Sequence, residues 1–388
     1  MKKSLLGLLI LLAIALYVVR PIGVRMLDDS MNIVNEHEPY SISPQAAALH
    51  ASLIVGDWHA DTTLWERSMA GRHDIGHVDL KRMQEGNLGL QMFTSVTRSP
   101  SGQNYESNET SASDNITLLA MAQLWPIATW SSLKERALYQ AERVHALAAD
   151  HPDDFMVIAN KSDLARWLAV RETNSDFVGG LIGTEGSHAL DGELQSISTL
   201  FDAGFRMMSL QHFFDNKLGG SLHGTSGAGL TDFGKEAVRL MQAKDIIVDV
   251  SHSSEAVVRD VFAQSGKPLV VSHTGFKGHC DTPRNISDEL MQAIAAEGGL
   301  IAVGFWDAAV CGTSPQAIVS AIEYGIGLVG VDHVSLGSDY DGTVETDFDA
   351  SEMAVLTQAM LESGMPEESI RKVMGGNMVR FLEQNLPD

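Results

Sequence analysis

The chain has 388 residues, 44% hydrophobic with 35 Gly, which suits a globular α/β protein and excludes collagen, coiled coil and bulk disorder. With 50 acidic residues against 27 basic, the net charge of −23 argues against a nucleic-acid partner, because phosphates would be repelled. Two cysteines are too few for a disulfide scaffold or an all-cysteine zinc site.

Lys2 and Lys3 precede an apolar run over 5–19, which Arg20 and Pro21 close. No small-residue cleavage pattern follows, so residues 1–25 read as an uncleaved signal anchor with the lysines inside, a cleaved signal peptide being the alternative. The expected location is therefore exported, anchored to the inner membrane and facing the periplasm or cell exterior. Residues 26–45 are polar, contain Pro39 and Pro44, and read as a linker.

From 46 to 388 one pattern repeats, a short apolar or β-branched run followed by a longer helical stretch. The runs are 53–58, 89–96, 179–184, 205–211, 246–251, 268–272, 299–305 and 333–338, with 155–159 as an accessory strand. Helical stretches include 232–243, 254–264, 287–297 and 315–324. Eight such units predict a (β/α)8 TIM-type barrel, with a doubly wound sheet as the alternative. Residues 98–150 form an insertion after the second strand. It has a Ser/Asn/Gly-rich loop over 98–112 and a helical excursion over 115–149 with Trp125 and Trp130. It would be a lid, a wall or a surface decoration.

Ionisable residues fall where the strands end. Run one closes Asp57-Trp58-His59-Ala60-Asp61; His59 and Asp61 are two apart and project to the same side of an extended chain. Run three ends at Glu185, between Thr184 and Gly186, and a carboxylate there needs a partner. Run four ends at His212, run five at Ser251-His252, run six at Ser272-His273 and run eight at Ser338-Asp339-Tyr340-Asp341-Gly342. Six of eight strands thus deliver His, Asp or Glu to the rim on which barrel active sites form. Imidazole and carboxylate without thiolate suit zinc, ahead of manganese, cobalt or iron. His188 and His223, in rim loops, are candidates for supporting roles; the other histidines read as structural.

In this order, His-x-Asp, Glu-Gly, Ser-His, Ser-His, Arg-Asn and Gly-x-Asp-x-Asp-Gly, the residues resemble the membrane (renal-type) dipeptidase family, peptidase family M19 of the amidohydrolase superfamily. The likeness runs from about residue 53 to 382. It implies a distorted (β/α)8 barrel with a binuclear zinc site, two Zn2+ per chain or other divalent metals, acting on a small dipeptide. His59 and Asp61 would bind one ion and His252 and His273 the other, with Glu185 bridging. Asp339 would be the catalytic acid/base. His212 would bind substrate and act in catalysis, and Arg284 of Pro283-Arg284-Asn285 would hold the substrate carboxylate. Cys280 and Cys311 match a disulfide of the mammalian members. The resemblance also implies tolerance of a D-residue at the C-terminal position and allows a homodimer.

The departures lie at the substrate end. Phe213-Phe214-Asp215-Asn216 replaces the stretch that follows His212 in the mammalian enzymes, and Trp306-Asp307-Ala308-Ala309-Val310 lacks their carboxylate-binding Tyr. The competing readings are a barrel hydrolase acting on another amide, a lactone or a phosphoester, and a membrane-tethered metal-containing binding protein without turnover. No Lys falls at a predicted strand end, which disfavours the phosphotriesterase-like version.

Overall fold

The computed structural model describes residues 19–264 and 266–388. Eight parallel strands carry the fold: β1 (Val55–Ala60), β2 (Leu88–Val96), β3 (Val178–Glu185), β4 (Phe205–Ser209), β5 (Ile247–Asp249), β6 (Val270–Thr274), β7 (Leu300–Val303) and β8 (Val334–Leu336). Each pairs with the next, β8 pairs with β1, and β3 pairs directly with β2 over Leu90–Val96, so the sheet closes into a barrel. The strand Phe155–Val157 pairs with β3 outside this ring and is the accessory strand.

Every residue of the eight strands is buried. Parallel strands covered on both faces carry such apolar runs rather than a polar alternation. Alternate side chains (Leu90, Met92, Leu181, Met207, Ile247, Val270, Leu300 and Ala302) gather with Trp58 into one cluster that fills the barrel. The C-terminal helix Asn377–Asn385 adds Met378, Phe381 and Leu382 to it, and Phe381 meets Trp58 edge-on at 5.7 Å. Neighbouring strand residues such as Phe93, Ile182, Met208, Val248 and Ile301 point the other way, under the crossover helices.

The helices start where the sequence supplies caps. The Thr231 hydroxyl accepts the Gly234 N–H ahead of Asp232–Ala243, and Ser314 accepts the Ala317 N–H ahead of Pro315–Val329, with Pro in the first turn. One buried carboxylate ties the barrel shut near the site: the Ser338 N–H and hydroxyl both donate to Asp57 at 2.7 Å, and the Gln91 amide donates to it at 2.8 Å.

The run 5–18 of the expected anchor lies outside the described residues. No described helix is long and apolar enough to cross a membrane. The stretch expected as a linker is ordered and docked. A helix over 19–31 presents buried Asp28 to Arg67, at 2.6 and 2.7 Å, and Ile33–Val34 pairs in parallel with Glu345–Thr346. Pro44 then opens a helix, Pro44–Ala51, capped by Ser43.

Candidate metal centre

The C-terminal ends of β1, β3, β4, β5, β6 and β8 bring their ionisable side chains to one point. Glu185 ends β3 and lies under four imidazoles. Its Oε1 is 3.5 Å from His59 Nε2, 3.3 Å from His252 Nε2 and 3.4 Å from His273 Nε2, and its Oε2 is 3.4 Å from His212 Nε2. His252 and His273 approach within 2.8 Å through their Nε2 atoms. Asp61 Oδ1 is 3.6 Å and Asp339 Oδ1 3.9 Å from His59 Nε2. Two groups of candidate ligand atoms result: His59, Glu185, His273 and Asp339, and Glu185, His212 and His252. Asp61 stands at the edge of the first, where its Oδ1 accepts the Thr94 hydroxyl at 2.6 Å.

A row of residues behind the imidazoles sets which nitrogen faces inward. The Ser272 hydroxyl donates to Asp249 Oδ2 at 2.7 Å, so its oxygen is left to accept from the ring N–H groups of His59 and His273 at 3.1 and 3.0 Å. Their Nε2 lone pairs then point at Glu185, as the outer partners of metal-binding histidines normally arrange. The backbone bends to reach this geometry: His252 and Asp339 have φ of 60° and 63°. Non-Gly residues held in that region cost stability and cluster at functional sites. Gly186, at φ 87°, lets the chain turn away after Glu185; a Cβ there would lie 2.3 Å from the His188 ring.

The electrostatics are those of a site short of positive charge. Burial holds His252 and His273 far below the ordinary imidazole range. Burial also disfavours charge on His59, but Asp61 and Glu185 outweigh it and raise that imidazole. Burial, reinforced by Glu185 and Asp61, pushes Asp339 well up. His59 Nε2 is buried and makes no hydrogen bond. Imidazole Nε2 atoms turned toward crowded carboxylates fit a divalent cation, which would take the place of the proton those carboxylates favour on His59.

The cluster forms the floor of a cavity of about 610 Å³, lined also by Tyr105, Phe213 and Arg284. Arg284 is fully buried, and its Nη2 donates to His273 O at 2.8 Å. Its Nε makes no hydrogen bond, and its charge lies 5.1 Å above the Trp306 ring. A disulfide joins Cys280 to Cys311 and fixes the loop that carries Arg284 to the turn after Trp306.

The insertion is a wall of this cavity: Ser99, Gln103, Tyr105, Ile116, Leu118 and Leu119 all line it. Sequence reasoning missed Tyr105, which sits in a polar loop without any motif. Its hydroxyl oxygen accepts the Trp306 Nε1–H at 3.0 Å, which leaves its own O–H free to donate into the cavity. His223 packs 5.2 Å from the His252 ring and meets Tyr105 O through Nδ1 at 2.9 Å; burial pulls its imidazole down to about 3. His188, likewise pulled down to about 3 by burial, packs on Phe214.

Residues 43–386 match the model of the membrane dipeptidase family, peptidase family M19. A curated relative, dipeptidase ataJ of Aspergillus terreus, is 28% identical over 384 residues, covering 89% of this chain and 87% of its own. Among solved structures, the probable dipeptidase PvdM of Pseudomonas aeruginosa superposes with a TM-score of 0.72 at 19% identity, over 88% of this chain and 98% of that one. A metallopeptidase of Rhodobacter sphaeroides, liganded with a phosphinate mimic of the dipeptide L-Ala-D-Ala, gives 0.67 at 21% identity, over 86% and 99%. At these identities the two superpositions speak to the fold alone.

Proposed function

The chain belongs to the membrane dipeptidase family, peptidase family M19, a family of metal-dependent dipeptidases, and from that premise we propose that it hydrolyses dipeptides with two zinc ions at the barrel rim. The observation that carries this reading is one carboxylate, Glu185, under four imidazoles. His59, Asp61 and Glu185 would hold one ion, and Glu185, His252 and His273 the other. Nitrogen and oxygen donors without thiolate favour zinc. Bound there, such ions acidify a water and polarise the substrate carbonyl.

The chain's own residues supply the rest. Arg284 and the Tyr105 hydroxyl form a donor pair for the substrate's free carboxylate, an arrangement a guanidinium fork suits. His212, on the floor of the cavity with its Nδ1–H held by Arg98 O at 3.2 Å, would contact the substrate beside the reacting carbonyl. Asp339 takes the proton of the attacking water and passes it to the leaving amine. A carboxylate clamp so close to the reacting centre selects dipeptides over longer peptides.

D-residue tolerance has two supports. The cavity exceeds the volume of a small dipeptide, and a relative in fold binds a mimic of L-Ala-D-Ala. Membrane attachment would come through residues 1–25.

Metal content and hydrolysis of L-Ala-D-Ala and L-Ala-L-Ala by the full chain in detergent test the proposal. The expected result is two zinc ions per chain, turnover of both substrates, loss of turnover on chelation and recovery on adding zinc back. One ion per chain with full activity would remove the binuclear site. Two ions with no turnover on a panel of dipeptides would move the chemistry to another bond.

A further inference from the structure

Among the described residues, every exposed large apolar side chain lies in one of two segments. Val19, Ile22, Met26, Leu27, Met31 and Ile33 belong to residues 19–33, and Leu118, Met121, Leu124 and Ile127 to 118–127 of the insertion. The rest of the described surface exposes none. Leu118, Leu124 and Ile127 are 69, 62 and 76% exposed. Water-facing apolar side chains concentrated in this way mark an interaction surface.

The two segments meet in space. Arg20 donates to Ala122 O at 3.1 Å and pairs with Glu66 at 2.8 Å. Leu27 and Met31 of the first segment and Leu118, Leu119 and Ala122 of the second line the outer part of the active-site cavity. The apolar side chains therefore form a collar around the cavity mouth.

What covers the collar follows from the chain that leads into it. Residues 5–19 are an unbroken apolar run after Lys2 and Lys3, and its last residue, Val19, is itself part of the collar. A run that inserts in lipid would leave the bilayer at the collar with no intervening tether.

We propose that this collar seats in the headgroup region of the bilayer, so that the mouth of the active site faces the membrane rather than the bulk solvent. An apolar face of this kind buries a few ångströms into the boundary between headgroups and acyl chains. The proposal rests on the anchor reading of residues 1–25 and goes beyond it, since an anchor alone leaves the domain free to turn any face to the lipid.

The test uses the full chain in phosphatidylcholine–phosphatidylglycerol vesicles. A polarity-sensitive fluorophore is placed at Ile127→Cys, and in a control at Glu297→Cys, which precedes β7 at the opposite end of the barrel. With vesicle-floating protein, the probe at 127 is expected to shift to the blue and to be quenched by a lipid spin label at headgroup depth. The probe at 297 keeps its emission and is quenched by aqueous iodide. Floating protein whose two probes are equally open to iodide would overturn the collar and leave the anchor standing. A probe at 127 shielded from both quenchers would show a protein contact, either a second copy or residues 1–18, and would also overturn it. Protein that does not float would overturn anchor and collar together. With the probe moved to Met121→Cys, the double substitution Leu124→Glu and Ile127→Glu is expected to abolish spin-label quenching. Hydrolysis of a soluble dipeptide in detergent should stay unchanged, because neither residue lines the cavity.

Discussion

Asp339 and Asp341 stand two positions apart and have opposite surroundings. Asp341 accepts the Thr62 hydroxyl and the His77 N–H at 2.7 Å each and pairs with Arg67. Although burial alone would raise it, these partners hold its carboxyl far below the usual range. Asp339 makes no side-chain hydrogen bond among the described residues and faces the cavity, which leaves it open to exchange a proton in the proposed mechanism. Asp339→Asn is expected to keep the metal content and to lower kcat by about 10²–10⁴-fold, the usual worth of general acid–base catalysis; elemental analysis and steady-state kinetics check it. Tyr105→Phe is expected to raise KM for dipeptides by about tenfold with kcat held, the worth of one hydrogen bond to a charged group. A dipeptide amide, which lacks the carboxylate, should show no such penalty; an equal penalty would remove Tyr105 from the clamp. The two residues differed in legibility for a physical reason. Asp339 follows a buried apolar run whose strand end fixes its position, whereas Tyr105 is placed by a loop path that no local pattern encodes.

The elements themselves were legible, because a strand covered on both faces must be apolar throughout. All eight expected runs became barrel strands, and their ends moved where side chains capture the backbone. The fifth run, expected over 246–251, stops at Asp249, whose Oδ1 accepts the Ser251 N–H at 3.0 Å and starts the turn that carries His252. The role of the insertion was not legible, since its contacts join residues far apart in sequence. Its key is Asp114, which accepts the Ile116 and Thr117 N–H groups at the start of the helix Asn115–Ala122 and pairs with buried Arg136 at 2.6 Å. Asp114→Ala removes a helix cap and leaves buried Arg136 without its carboxylate, and is expected to cost about 3 kcal/mol in denaturant unfolding. Burial raises the Asp114 carboxyl, but Arg136 and Thr117 outweigh it and hold it below its ordinary value. Its contribution is thus full above the unfolded pKa and is lost as pH falls through the folded one.

At the scale of the molecule, the barrel is belted by its ends. The helix Pro44–Ala51 is held through His50, whose Nδ1 lies 2.8 Å from the Thr357 hydroxyl and whose Nε2 lies 2.9 Å from Gly86 O. Burial lowers the His50 imidazole below its ordinary value of about 6.5. The unfolded chain therefore binds a proton near pH 6.5 that the folded chain refuses, so stability falls as pH drops below that value. His50→Gln should flatten the dependence below about pH 6.5, as read from midpoints of urea unfolding. Polar composition and two prolines suggested a linker over 26–45, but composition cannot report the buried pair of Asp28 with Arg67 or the strand pairing at Ile33.

The Cys280–Cys311 bridge has a consequence for when the enzyme becomes competent. The sulfurs are 31 positions apart, a loop whose closure contributes about 3–4 kcal/mol, and Arg284 sits within it. Such a bond forms in an oxidising compartment and not in a reducing one. A newly made copy still among cellular reductants would have the clustered His, Asp and Glu side chains in place, all outside that loop, and Arg284 on a slack one. On the proposed reading of Arg284 as the carboxylate clamp, such a copy would bind metal early and grip substrate late, and full competence would wait for oxidation.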